Sequence, residues 1–137
     1  MKRLLLLALA TAVMTGVLLG QKAPQGDEYK GWMKGIQTNV KNFTDAYMQM
    51  DVKTARGAAE ALIENFTKVE EHWKKQNKTD AVAWAKDAKD KLSEAVEKLK
   101  RDDMAYALNL LQLVQAKDCR GCHDQYRPAP PTTKGGN

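Results

Sequence analysis

The chain has 137 residues, 43% of them hydrophobic and 28% charged, with a formal net charge of +5. That length builds one domain, and the composition is that of a folded globular chain, which excludes a multidomain assembly and a disordered polyelectrolyte. Acidic and basic residues are mixed along the polar stretches 68–78 and 86–91, so the excess charge forms no block of one sign and gives no reason to expect nucleic acid as a partner.

Lys2 and Arg3 precede an apolar run from Leu4 to Leu19, the pattern of a secretory signal. Residues 1–22 are therefore expected to be removed on export, with small residues at Gly20 and Ala23 near the cut. The run falls short of the roughly 20 residues that span a bilayer comfortably, although left uncleaved it would anchor the chain in a membrane. Losing Lys2 and Arg3 takes 22 basic residues to 20 against 17 acidic ones, a charge of +3.

Residues 23–127 read as one helical domain, because after a polar lead-in to Gly26 the apolar residues recur at alternating steps of three and four. In the first helix Tyr29, Met33, Ile36, Val40, Phe43, Tyr47 and Met50 make a seam, with Asp27 as its cap. Gly31 and Gly35 weaken that helix by about 1 kcal/mol each relative to Ala unless something needs close approach. The second starts from Asp51, and its seam is Val52, Ala55, Ala59, Leu62, Phe66, Val69 and Trp73, ending at 76–78.

Thr79 or Asp80 is expected to cap the third helix, whose inward positions are Ala81, Ala85, Ala88, Leu92, Ala95 and Leu99, with Trp84 and Val96 beside them. After a turn at 101–103, with Asp102 or Asp103 as cap, the fourth runs from Met104 through Leu108, Leu111 and Val114 to about Tyr126. Pro128, Pro130 and Pro131 forbid continuation, and residues 128–137, rich in Pro and Gly, are expected to be disordered.

Four amphipathic helices joined by short turns bury their seams most simply as an all-α, antiparallel up-down-up-down four-helix bundle. In that topology the starts of helices one and three meet the ends of helices two and four. Trp32, Met33, His72, Trp73 and Trp84 would then share one end of the bundle, where the alanines of helix three leave room for a flat ligand. Large side chains capping a bundle end explain the tryptophans equally well.

Cys119-Arg120-Gly121-Cys122-His123 lies at that same end and has the C-x-x-C-H spacing of covalent haem attachment. At about 100° per residue, positions 119, 122 and 123 fall on one helix face. Two thiols can thus add to the two vinyl groups of one porphyrin edge while a neutral imidazole, that of His123, reaches the iron. Three other uses compete. A disulfide is the default for a cysteine pair in an exported chain; a thioredoxin-like redox pair wants an α/β setting that is lacking here; zinc wants about four ligands, and only His72 is left to help.

The string Cys-x-x-Cys-His-x-x-Tyr-Arg at 119–127, near the C-terminus of a four-helix chain behind an export signal, resembles cytochrome c′ and its low-spin relatives, the class II c-type cytochromes. The resemblance covers the domain in architecture, while only the haem-binding string is specific. It implies one covalent haem c on Cys119 and Cys122, with His123 as proximal iron ligand, and places Arg127 near the proximal side of the haem; a helix-terminal cation favoured by the helix dipole is the plain alternative for Arg127. The export signal and the attachment chemistry together imply a periplasmic location, and with no second acid/base constellation in the sequence the expectation is an electron carrier with redox proteins as partners and no bond-making chemistry; the resemblance adds a homodimer as an alternative to a monomer.

The sixth coordination position separates two functions, since a closed iron favours electron transfer and an open one binds small gases. Met33, on the inward seam near the start of helix one, resembles the methionine that low-spin members supply, although a seam methionine more often fills core. His72 stands about a quarter turn off its seam and is expected to be partly exposed. With neither bound, the chain would be a five-coordinate, NO- or CO-binding cytochrome c′ with a distal pocket of Met33, Ile36 and Trp73.

Overall fold

The computed structural model describes residues 26–127; the expected signal segment 1–22 and the tail 128–137 lie outside the described residues. Helices α1 (Asp27–Met48), α2 (Val52–Lys75) and α3 (Thr79–Leu99) are followed by a fourth rod in three parts, α4 (Met104–Leu113), a π-helical segment Val114–Cys119, and α5 (Arg120–Tyr126). Short turns reverse the chain each time, giving the expected all-α up-down-up-down bundle. Among the described residues there is no strand, and no helix is long and apolar enough to cross a membrane.

The seams read from the sequence form the core. Phe43, Ala55, Ala59, Leu62, Val69, Trp73, Ala81, Ala85, Ala88, Leu92, Ala95, Leu99, Leu111 and Val114 are all buried, and removing this apolar surface from water is the main force holding the rods together. Met33, Val40, Tyr47, Val52 and Leu108 are partly buried against that core, whereas Met50 is 73% exposed, because α1 stops at Met48 and Met50 belongs to the turn.

Each of the three turns has the same chemistry. Met50, Asn77 and Asp102 adopt left-handed backbone with φ of 55°, 55° and 60°. The amide of the next residue, Asp51, Lys78 or Asp103, donates back to the carbonyl of Ala46, Trp73 or Lys98. These are Schellman ends, built here without glycine; they satisfy carbonyls that a helix terminus otherwise leaves open.

The starts differ in part from expectation. Asp51 and Asp103 cap as read, accepting from the amides of Thr54 at 3.0 Å and Tyr106 at 3.1 Å. Asp27 and Thr79 are instead the first helical residues, preceded by Gly26 and Lys78, neither of which makes a side-chain cap. Asp80, the second helical residue, accepts from the Ala81 amide at 2.8 Å.

α2 and α3 pack along their lengths, α1 lies on α2 and α4 on α3, while α1 and α4 scarcely meet. A slot therefore remains between α1 and the C-terminal rod at the end where α5 finishes. The sequence pattern predicted an uninterrupted final helix; instead its hydrogen-bond register shifts over Val114–Cys119. Such π segments recur at functional sites. Here the shift passes from the core face of Leu111 and Val114 to a face carrying Asp118, Cys119, Cys122 and Tyr126.

Candidate functional site

The slot is a cavity of about 830 Å³, lined by α1, α2, α3 and the C-terminal rod, within the usual range for ligand and cofactor sites. Ile36 and Val40 of α1, Phe66 and Val69 of α2, and Ala81 and Ala85 of α3 supply apolar walls. Of the alanines expected to leave room for a flat ligand, Ala81 and Ala85 face this space.

All five site residues named from the sequence line it: Cys119, Cys122, His123 and Arg127 from the C-terminal rod, and Met33 from α1. The rod is helical through Cys119 and Arg120 into α5, so Cys119 lies about one turn before the adjacent pair Cys122 and His123, and all three line the cavity.

His72 is not part of the lining. It is partly exposed as expected, its ring packing 4.6 Å from Tyr29 and 5.1 Å from Trp73 between centroids, with Nε2 2.6 Å from Nε2 of Gln76. Trp73, expected in the distal pocket, is also outside the lining; Phe66 and Val69 stand there instead. It is fully buried behind the wall, 5.6 Å from Tyr29 and 4.6 Å from Tyr126 between ring centroids.

Electrostatics bear on the competing uses of the cysteines. Both are free thiols. Burial and the neighbouring Asp118 push the Cys119 thiol up to about 11, and burial together with Cys119 and Asp80 does the same to Cys122. At neutral pH both sulfurs are protonated, the opposite of the depressed thiol that disulfide-exchange chemistry needs. Among the described residues no three His, Cys, Asp or Glu side chains converge as ligands for a bare metal ion.

His123 stands at the mouth, where burial and then the Arg127 guanidinium hold it below the ordinary histidine range. Its imidazole is neutral at pH 7, the form that coordinates a metal.

Three features of the site had no clear signal in the sequence. Tyr126 donates a 2.6 Å hydrogen bond to Asp80 Oδ1, tying the end of α5 to the start of α3, and the same oxygen accepts from the Ala81 amide at 2.8 Å. Gly121 lies against Trp84, leaving no space for a side chain. Asp118 is buried in the wall immediately before Cys119; a carboxylate beside a cysteine reads as solvated surface until the packing is known. Compared with protein-family models, with curated proteins and with solved structures, the chain finds no match.

Proposed function

We propose that this chain is an exported, periplasmic monohaem c-type cytochrome that carries electrons, with haem c bound through Cys119 and Cys122 and with His123 and Met33 as axial ligands. One observation carries the reading. Two thiols and a neutral imidazole spaced for haem attachment face a largely apolar cavity, and a thioether reaches the same cavity from α1.

The donor set fits the group. Thioether bonds from Cys119 and Cys122 would hold the tetrapyrrole to the rod, and the imidazole of His123 with the Met33 sulfur are the pair that gives a closed, electron-transferring iron. Bound there, the haem supplies a one-electron ferric/ferrous couple. The chain's own part is to position and exclude. Ile36, Val40, Phe66 and Val69 keep water from one side, and Tyr126 with its Asp80 hydrogen bond holds the attachment helix on the bundle. Lys30, Lys34 and Arg127 line the cavity as well, cations suited to a ligand that carries carboxylates.

The test is an oxidised and a reduced absorption spectrum of protein made alongside a haem-attachment system, with mass and thiol titration on the same sample. The expected result is one added haem, no reactive thiol and a low-spin, six-coordinate ferrous spectrum. A bare polypeptide with two titratable thiols would sink the proposal and favour a thiol-pair protein.

A second reading, a gas-binding cytochrome c′, is favoured by the apolar group Ile36, Phe66 and Val69 beside Met33, which can close a distal face by packing alone. A five-coordinate ferrous spectrum with rapid carbon monoxide or nitric oxide binding would select it.

A further inference from the structure

Asp118 is buried in the cavity wall one residue before the first attachment cysteine. Its Oδ2 accepts from Lys91 Nζ at 3.0 Å, while Oδ1 is sealed from solvent and has no hydrogen-bond partner among the described residues. Lys91 Nζ also lies 2.6 Å from Asp87 Oδ2, and that oxygen accepts from Lys117 Nζ at 2.8 Å. Lys117 is 65% exposed. A continuous line of ionisable groups thus runs from the cavity wall to water, through α3 and the π segment.

The two carboxyls in this line are not equivalent. Asp87 is held far below the ordinary range by hydrogen bonds from Lys117 and Lys91. Asp118 shares Lys91 with Asp87 and faces that second carboxylate, so burial, together with the neighbouring Asp87, pushes its carboxyl above the ordinary range against the pull of Lys91. Of the two carboxyls, Asp118, with an Oδ1 sealed from solvent and without a hydrogen-bond partner among the described residues, is the one placed to take a proton.

Resting on the haem reading above, we propose that Asp118 is a proton-accepting site coupled to electron arrival in this cavity. One electron from the redox partner reduces the ferric iron to ferrous, and one proton from water forms an O–H bond on the Asp118 carboxylate; on reoxidation both leave, the proton to solvent. The cause is electrostatic: an added negative charge inside a low-dielectric cavity raises the proton affinity of a carboxyl in its wall.

The other groups around Asp118 do not imitate this behaviour in the acid-to-neutral range. Lys91 of α3 is raised above the ordinary lysine range by its two aspartates against the effect of burial; Asp87 is held far below the carboxylate range; Tyr29 and Tyr126 titrate well above; and Cys119 and Cys122, as thioethers in this reading, carry no proton. His123 is occupied by iron in this reading. The tetrapyrrole's own carboxylates also titrate, so assignment requires a variant.

The experiment is the reduction equilibrium of the intact haem-bearing protein from about pH 4 to about pH 9, with reduced-minus-oxidised infrared difference spectra. In the wild-type protein the equilibrium constant for reduction is expected to fall up to tenfold per pH unit over a window above the ordinary carboxylate range. A protonated-carboxyl band should appear on reduction. Asp118→Asn should flatten that window and remove the band. The proposal is overturned by a slope that survives in Asp118→Asn, or by a wild-type infrared spectrum with no carboxyl band on reduction, a measurement that holds even where the variant does not fold. Haem-loaded protein with either of these results defeats the coupling alone; protein without haem defeats the functional reading and the coupling with it.

Discussion

The indole of Trp84 occupies the space that a side chain at Gly121 would need: a Cβ built on Gly121 would stand 2.8 Å from Trp84 Cε2 and 3.0 Å from its Nε1. The attachment spacing leaves both intervening residues free, and the fold constrains one of them. Gly121→Ala gains about 1 kcal/mol in helix propensity and forces a rigid ring out of place, an overpacking cost of about 1–3 kcal/mol. A net loss of stability is expected in thermal denaturation, together with a change in Trp84 fluorescence. Arg120→Ala, at the exposed neighbouring position, is expected to stay within about 0.5 kcal/mol of wild type.

Met33→Ala separates the two haem readings. If the Met33 sulfur closes the iron, the reduced protein changes from a six-coordinate to a five-coordinate spectrum and gains carbon monoxide binding. An unchanged spectrum assigns Met33 to the apolar wall.

The two glycines of α1 are expected to respond differently. Gly31 has nothing within 4 Å of a built Cβ, whereas at Gly35 the Asn65 Oδ1 would lie at 3.0 Å, and that amide is engaged with the Ala61 carbonyl at 2.8 Å. Gly31→Ala should therefore stabilise by about 1 kcal/mol in denaturant unfolding. Gly35→Ala should gain less or lose, because α1 approaches α2 there.

Acid stability is expected to depend on Glu70, which is buried on α2 between Lys74 of its own helix and Lys89 of α3. Burial alone would raise this carboxyl, and the hydrogen bonds from the two lysines outweigh it, so it sits below its ordinary value. A depressed carboxyl stabilises the fold above its unfolded pKa and loses that contribution as pH falls through the folded value. Unfolding free energy should therefore drop as pH falls from about 5, and Glu70→Gln should flatten this limb while lowering neutral-pH stability by about 1–3 kcal/mol.

Apolar periodicity alone identified four helices, the up-down order and nearly every buried seam position, because spacing along a helix dictates which side chains share a face. Cys119, Cys122 and His123 were legible for the same reason, being local to one turn and a half of chain. The relationships between helices were not. That Met33 reaches the cavity and His72 does not, that Trp84 forbids a side chain at Gly121, that Asp80 accepts from Tyr126, and that Asp118 is buried and linked to Lys91 all depend on distances between segments far apart in sequence. Packing decided them, together with the π segment at Val114–Cys119, which sets which face of the last rod looks into the slot between α1 and α5.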